Sequence, residues 1–151
     1  INFSKNRSFD LLSKNNFNES KREQMKIALI SKNCSYYYTF LCEIFLLTKN
    51  YVECKKNACE AIKIYQNNSD AYLFLSYVSS ETKNWEDAEK NATKSIEIEF
   101  QNAKSHLQLA QIKFSQNKKQ ETVHHYLIAK DLDAKINDDK LEKISKKYPN
   151  A

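Results

Sequence analysis

Glycine is absent from all 151 residues, and the single proline, Pro149, stands almost at the end. A chain without glycine builds no phosphate-cradling loop of the G-x-x-x-x-G-K type, no G-x-G-x-x-G dinucleotide turn and no G-x-S-x-G nucleophile elbow. It also lacks the glycines of the common RNA-binding modules. Tight hairpins depend on glycine at positive φ and on proline at turn corners. All-β folds and most α/β enzyme folds are therefore excluded, and helices remain. Arginine is scarce too: Arg7 and Arg22 are the only two among 24 basic residues. The formal net charge of +5 is thus a lysine charge. Arginine is what base readout and bidentate phosphate contact favour, so we expect no nucleic-acid partner. Long apolar runs are missing as well. The longest, Tyr36 to Leu47, is interrupted by Glu43 and falls short of the ~20 residues a membrane helix needs. We expect a buried helix there and no membrane partner.

The four cysteines, Cys34, Cys42, Cys54 and Cys59, match no zinc-binding spacing. We read them as reduced thiols, which places the chain in the cytoplasm or another reducing intracellular compartment. The six N-x-S/T sequons then follow from the abundance of asparagine rather than from glycosylation. The first residue is Ile1 and the N-terminal stretch is polar, which points to a fragment or a processed product without a secretory signal.

What is present is a repeat. Asn16-Phe17-Asn18-Glu19, Asn50-Tyr51-Val52-Glu53 and Asn84-Trp85-Glu86-Asp87 share one pattern: asparagine, aromatic, any residue, acid. The asparagines stand 34 residues apart, twice, and Lys118-Lys119-Gln120-Glu121 holds the next register without the asparagine or the aromatic. Asparagine caps the free N–H groups of a helix start, and the acid three residues on completes a capping-box-like pair. Frames 35–68, 69–102 and 103–136 align without gaps, and each holds two amphipathic stretches. Tyr38, Tyr72 and His106 coincide, as do Leu41, Leu75 and Leu109, and then Cys42, Ser76 and Ala110. In the second stretches Cys54, Ala88 and Thr122 coincide, followed by Ala58, Ala92 and Tyr126, then Ala61, Ser95 and Ala129. Small residues recur where two helices cross closely.

This pattern resembles the tetratricopeptide repeat (TPR) over about residues 16–136. The resemblance implies an all-α fold, a solenoid of helical hairpins wound as a right-handed superhelix. Its parts are a partial or divergent repeat at 1–34, full repeats at 35–68, 69–102 and 103–136, and a capping helix with tail at 137–151. The family's proline at position thirty-two is replaced by Gln66, Phe100 and Ala134. We expect Asn67, Asn68 and Asn102 to carry the turns between repeats, because asparagine tolerates left-handed backbone. We expect Asn137 to cap the last helix, with Leu141, Ile144 and Tyr148 on its inner face, and Trp85 to be substantially buried.

No nucleophile, base and orienter are spaced for catalysis. His124 and His125 are adjacent, so they point about 100° apart on a helix and cannot share one metal; they read as surface residues, and His106 as a packing residue. We expect no enzyme activity, no cofactor and no metal. The TPR resemblance instead implies a concave groove lined by the first helices. Carried onto this chain, the partner-binding groove residues are Tyr36, Phe40, Glu43, Leu47, Asp70, Leu73, Phe74, Tyr77, Glu81, Lys104, Leu107, Gln108 and Gln111. Apolar and aromatic residues dominate the inner surface, which suits a protein or peptide partner.

Chaperone-binding members of the family hold an acidic C-terminal tail in a carboxylate clamp. Its places here are Thr39, Glu43, Phe74, Lys104 and Gln108, of which only Lys104 fits. Glu43 opposes a carboxylate, so a chaperone tail is not the expected ligand. Frame 69–102 is acidic at net −4, whereas 1–34 and 103–136 are basic at +4 and +3. The expected function is a non-catalytic adaptor or scaffold segment. The alternative is the TPR module of a larger enzyme or co-chaperone (an isomerase, phosphatase or transferase) whose catalytic domain lies elsewhere.

Overall fold

The computed structural model describes residues 34–148. The divergent repeat expected at 1–34 lies outside them, apart from Cys34. The described residues form seven helices and no strand: α1 (Ser35–Leu47), α2 (Tyr51–Ile64), α3 (Ser69–Glu81), α4 (Trp85–Ile98), α5 (Ala103–Ser115), α6 (Lys119–Leu132) and α7 (Asp139–Lys147). None of these is long and apolar enough to cross a membrane.

The turns inside the helix pairs show how a chain without glycine reverses direction. Lys49, Lys83 and Asn117 take φ of 58°, 58° and 59°. Each is the left-handed residue of a Schellman motif. The Lys49, Lys83 and Asn117 amides donate to the Leu46, Ser80 and Phe114 carbonyls, and the Asn50, Asn84 and Lys118 amides to Phe45, Ser79 and Lys113. Asn50 and Asn84 then serve a second purpose. Their side-chain oxygens accept from the Glu53 and Asp87 amides, each at 3.3 Å, and so start the next helix. Lys118, in the equivalent place, makes no side-chain cap. The left-handed residues are therefore not the asparagines expected between repeats. Asn102 has φ −75°. Asn68 works as a cap instead: its side-chain oxygen accepts from the Ala71 amide at 3.0 Å, and its Nδ2 donates to Ser35 Oγ at 2.6 Å.

The chain divides into two compact units within α3, one ending at Phe74 and one starting at Leu75. In the first, α1 packs on α2. Cys42, Cys54, Ala58 and Ala61 have no exposed surface, so the helices meet through small side chains. Cys42 Sγ donates to the Cys54 carbonyl at 3.4 Å, and Ser35 Oγ to that of Ala61 at 2.8 Å. Tyr37, Phe40, Leu41 and Ile44 form the core cluster.

In the second unit, Ser76 Oγ donates to the Ala88 carbonyl at 2.8 Å, repeating the Cys42–Cys54 contact one frame later. Ala88 and Ala92 of α4 pack with Leu109 and Ile112 of α5, and Trp85 packs against them, mostly but not fully withdrawn from solvent, as the sequence suggested. Ala110, Tyr126 and Leu141 join α5, α6 and α7. Asp138, not Asn137, caps α7, accepting from the Lys140 and Leu141 amides at 3.0 and 3.2 Å. The aspartate wins because its carboxylate takes two amides at the positive helix end. Glu142 closes the unit: it accepts from the Tyr126 hydroxyl at 2.6 Å and from Lys130 Nζ at 2.9 Å. Burial and the neighbouring Glu142 carboxylate push the Tyr126 phenol up to about 12.

Candidate functional site

The first-helix residues expected to contact a partner fall into two groups, one in each unit. In the first unit, Tyr36 and Leu47 of α1 are exposed, at 44% and 57%. Phe40 is not; it is buried in the α1 core, and the Tyr36 ring stands edge-on to it at 4.9 Å. Glu43 is half-buried and Asp70 exposed. Both carboxylates act on Tyr36: its phenol is raised first by burial, then by Asp70 and by Glu43. The local arrangement is an exposed aromatic face seated on Phe40 and flanked by two acids. Leu73 is buried at 3% and contributes packing rather than surface, whereas Phe74 is half-buried.

In the second unit, Glu81, Lys104 and Gln111 are exposed, and Tyr77 and Leu107 half-buried. Gln111 Nε2 reaches the Asp138 carboxylate at 3.1 Å, which ties α5 to the start of α7. Leu107 packs against the Ala110–Tyr126–Leu141 cluster. Gln108 is buried, and its Nε2 donates to Ser76 Oγ at 3.1 Å and Ser80 Oγ at 2.8 Å. It joins α5 to α3 and is spent on that contact. Of the thirteen residues, then, Phe40, Leu73 and Gln108 are buried, Gln108 through its hydrogen bonds to α3, and offer little surface to a ligand.

A second concentration of polar groups was missed by sequence reasoning. Lys113, on α5, is 8% exposed in its side chain, with Nζ 2.5 Å from Glu89 and 2.7 Å from Glu121. Glu89 also accepts from Gln116 Nε2 at 2.9 Å. A buried ammonium is tolerated only with such pairing. Both acids are held below the usual carboxylate range, chiefly by their hydrogen bonds to Lys113. Beside them His106 is buried, with Nε2 2.8 Å from the Phe100 carbonyl. His125 is half-buried and stacks on His106 at 5.9 Å, while His124 stays exposed. Thus His125 is not the surface residue its position in the sequence suggested. Desolvation lowers both buried rings, His125 to about 4. No group of three or more metal-ligating side chains occurs among the described residues. The partners of Lys113 lie 24 and 8 residues away in sequence, so no local motif could have marked them.

No family model and no curated protein matches the sequence. Solved structures do. The TPR domain of Arabidopsis OM64 aligns with a TM-score of 0.67 at 19% identity, over 77% of this chain and 94% of that one. MamA aligns with a TM-score of 0.60 at 16% identity, over 73% of this chain and 64% of that one. YrrB, a TPR protein, aligns with a TM-score of 0.56 at 14% identity, over 83% of this chain and 66% of that one. The paired helices, the small residues at their crossings and these likenesses agree that the chain has the tetratricopeptide-repeat fold.

Proposed function

We propose that the chain is a non-catalytic protein-interaction module, an adaptor or scaffold segment that binds a polypeptide on the surfaces of its first helices. The observation that carries this reading is the Tyr36 face: an aromatic ring, exposed yet packed on Phe40, within the electrostatic reach of the Glu43 and Asp70 carboxylates. A rigid aromatic with a settled orientation loses little entropy when it is covered. The two acids favour a basic residue on the partner. Within the same unit, half-buried Phe74 supplies further apolar contact; in the second unit the first-helix surface offers half-buried Tyr77 and exposed Glu81. A peptide ligand is also supported by the neighbour YrrB, described as having an unusual peptide-binding site.

An acidic chaperone tail does not suit this surface. At the clamp positions Thr39 is buried with its hydroxyl on the Tyr36 carbonyl, and Gln108 is buried on Ser76 and Ser80. A reducing compartment belongs to the same reading. Cys42 is buried, and its thiol is pushed well up by its hydrogen bond with Cys54 and by burial, which makes it a packing residue rather than a reactive one.

The test is alanine substitution against a captured partner. At about 25 cal/mol per Å² of apolar surface, Tyr36→Ala and Tyr77→Ala each weaken binding about tenfold or more while helicity stays intact. Affinity depends only mildly on salt, because the contacts are mostly apolar. Unchanged affinity in both variants would overturn the reading.

A further inference from the structure

The second unit contains a cavity of about 520 Å³ whose walls are α4 and α6 and whose floor is α5. It lies between the second helices α4 and α6, takes only Leu109 and Lys113 from the first helix α5, and uses none of the thirteen residues expected to line the groove. We propose that this cavity takes the arginine side chain of a partner polypeptide.

Charge favours a cation. Three glutamates line the cavity, Glu89, Glu97 and Glu121, against one lysine, Lys113. With three negative charges and one positive, the lining is net −2. Lys113 is spent on Glu89 and Glu121, and each of those carboxylates keeps further acceptor capacity. Glu97 is 64% exposed in its side chain and meets Lys94 at 3.9 Å on the solvent side. A contact that long and that wet is worth little, and a guanidinium at closer range displaces it.

Shape favours a flat one. Phe100 is 60% exposed and forms part of the wall. An aromatic face beside carboxylates is where a planar guanidinium stacks while its edge donates hydrogen bonds. Ile96 and Leu109, also in the lining, offer apolar surface to the three-carbon stem. The volume exceeds one long side chain and leaves room for the backbone that carries it, as a peptide requires and a small free cation does not.

A neutral ring completes the site. His125 lines the same cavity. The ring is neutral near pH 7, because burial and the neighbouring His124, His106 and Lys113 disfavour its cation. A neutral imidazole nitrogen can accept one of the five guanidinium donors. Arginine fits these features better than lysine, whose compact ammonium neither stacks flat nor spans two carboxylates.

The experiment uses the full chain and four probes followed by two-dimensional NMR: a short acetylated and amidated peptide with one central arginine, its lysine and citrulline counterparts, and guanidinium chloride. The arginine peptide is expected to shift the Phe100, His125 and Glu97 resonances saturably in the millimolar range. The lysine peptide should bind several-fold more weakly. The citrulline peptide, equal in shape but uncharged, should fail. Glu97→Gln and Phe100→Ala, both at exposed positions, should each weaken the arginine peptide by about fivefold. The proposal is overturned if the arginine peptide produces no saturable shifts, if its shifts lie outside the cavity, if citrulline binds equally well, or if guanidinium ion matches the peptide.

Discussion

Lowering the pH from 7 to 5 should destabilise the second unit through its histidines before any carboxylate is involved. His125 is neutral in the folded chain, with a pKa near 4 against an ordinary 6.5. Its surroundings are His124 and His106, and, from α5 and the start of α6, Lys113 and Glu121; only Glu121 favours the cation. The unfolded chain takes up a proton below about 6.5, whereas the folded chain does not until about 4. Stability from this group is therefore present above pH 6.5 and is lost as the pH falls toward 4. At pH 5 the linkage amounts to ~2 kcal/mol at full strength, and the partial exposure of the ring reduces it to about 1 kcal/mol. His106, also lowered by burial, adds in the same direction. Glu89 and Glu121 are lowered from 4.5, so their contribution is lost only at more acid pH. The two effects occupy separate windows. Thermal unfolding between pH 7 and 5 should show Tm falling by about 3–6 °C, and His125→Leu should remove most of that slope. A histidine NMR titration supplies a check independent of the variant's folding. A flat Tm across this window, or a His125 ring titrating near its ordinary 6.5, would refute the role given to burial.

Replacing Lys83, at φ 58°, by glycine removes a left-handed strain of about 1 kcal/mol. Glycine's freer unfolded state offsets part of that gain, so denaturant unfolding should show a net stabilisation of ~0.5 kcal/mol. Trp85→Ala should cost about 2–3 kcal/mol, at the low end for a buried aromatic, because the indole packs on the core but is not fully buried; chemical denaturation measures it. Thiol titration of the denatured, unreduced protein should find all four cysteines free. Fewer would argue against a reducing compartment.

The fold was legible because it is written in short-range chemistry repeated at a fixed interval. Asn50 and Asn84 cap helices, and Ala58, Ala92, Ala61 and Ser95 have no exposed surface; each could be read from its place in the frame. The left-handed residues could not. Lys49, Lys83 and Asn117 adopt that conformation because the Schellman geometry requires it at that position, and nothing in a lysine announces it. The binding surface was legible only in part, since a family pattern gives the average direction of a side chain. Gln108 occupies a groove position, but Ser76 and Ser80 lie within reach of its amide and draw it inward. Lys113 reads in sequence as one more surface lysine, and its burial depends on Glu89 and Glu121 converging from two other helices.

The most direct test of the central claim is site-specific photo-crosslinking in native cells, with a photoreactive phenylalanine analogue placed at Tyr36, at Tyr77 and at the exposed His124. Binding of a polypeptide by the first helices predicts a discrete covalent adduct from positions 36 and 77, that from position 36 diminished by charge reversal at Glu43. Adducts from position 124 alone, with none from 36 or 77, would contradict it.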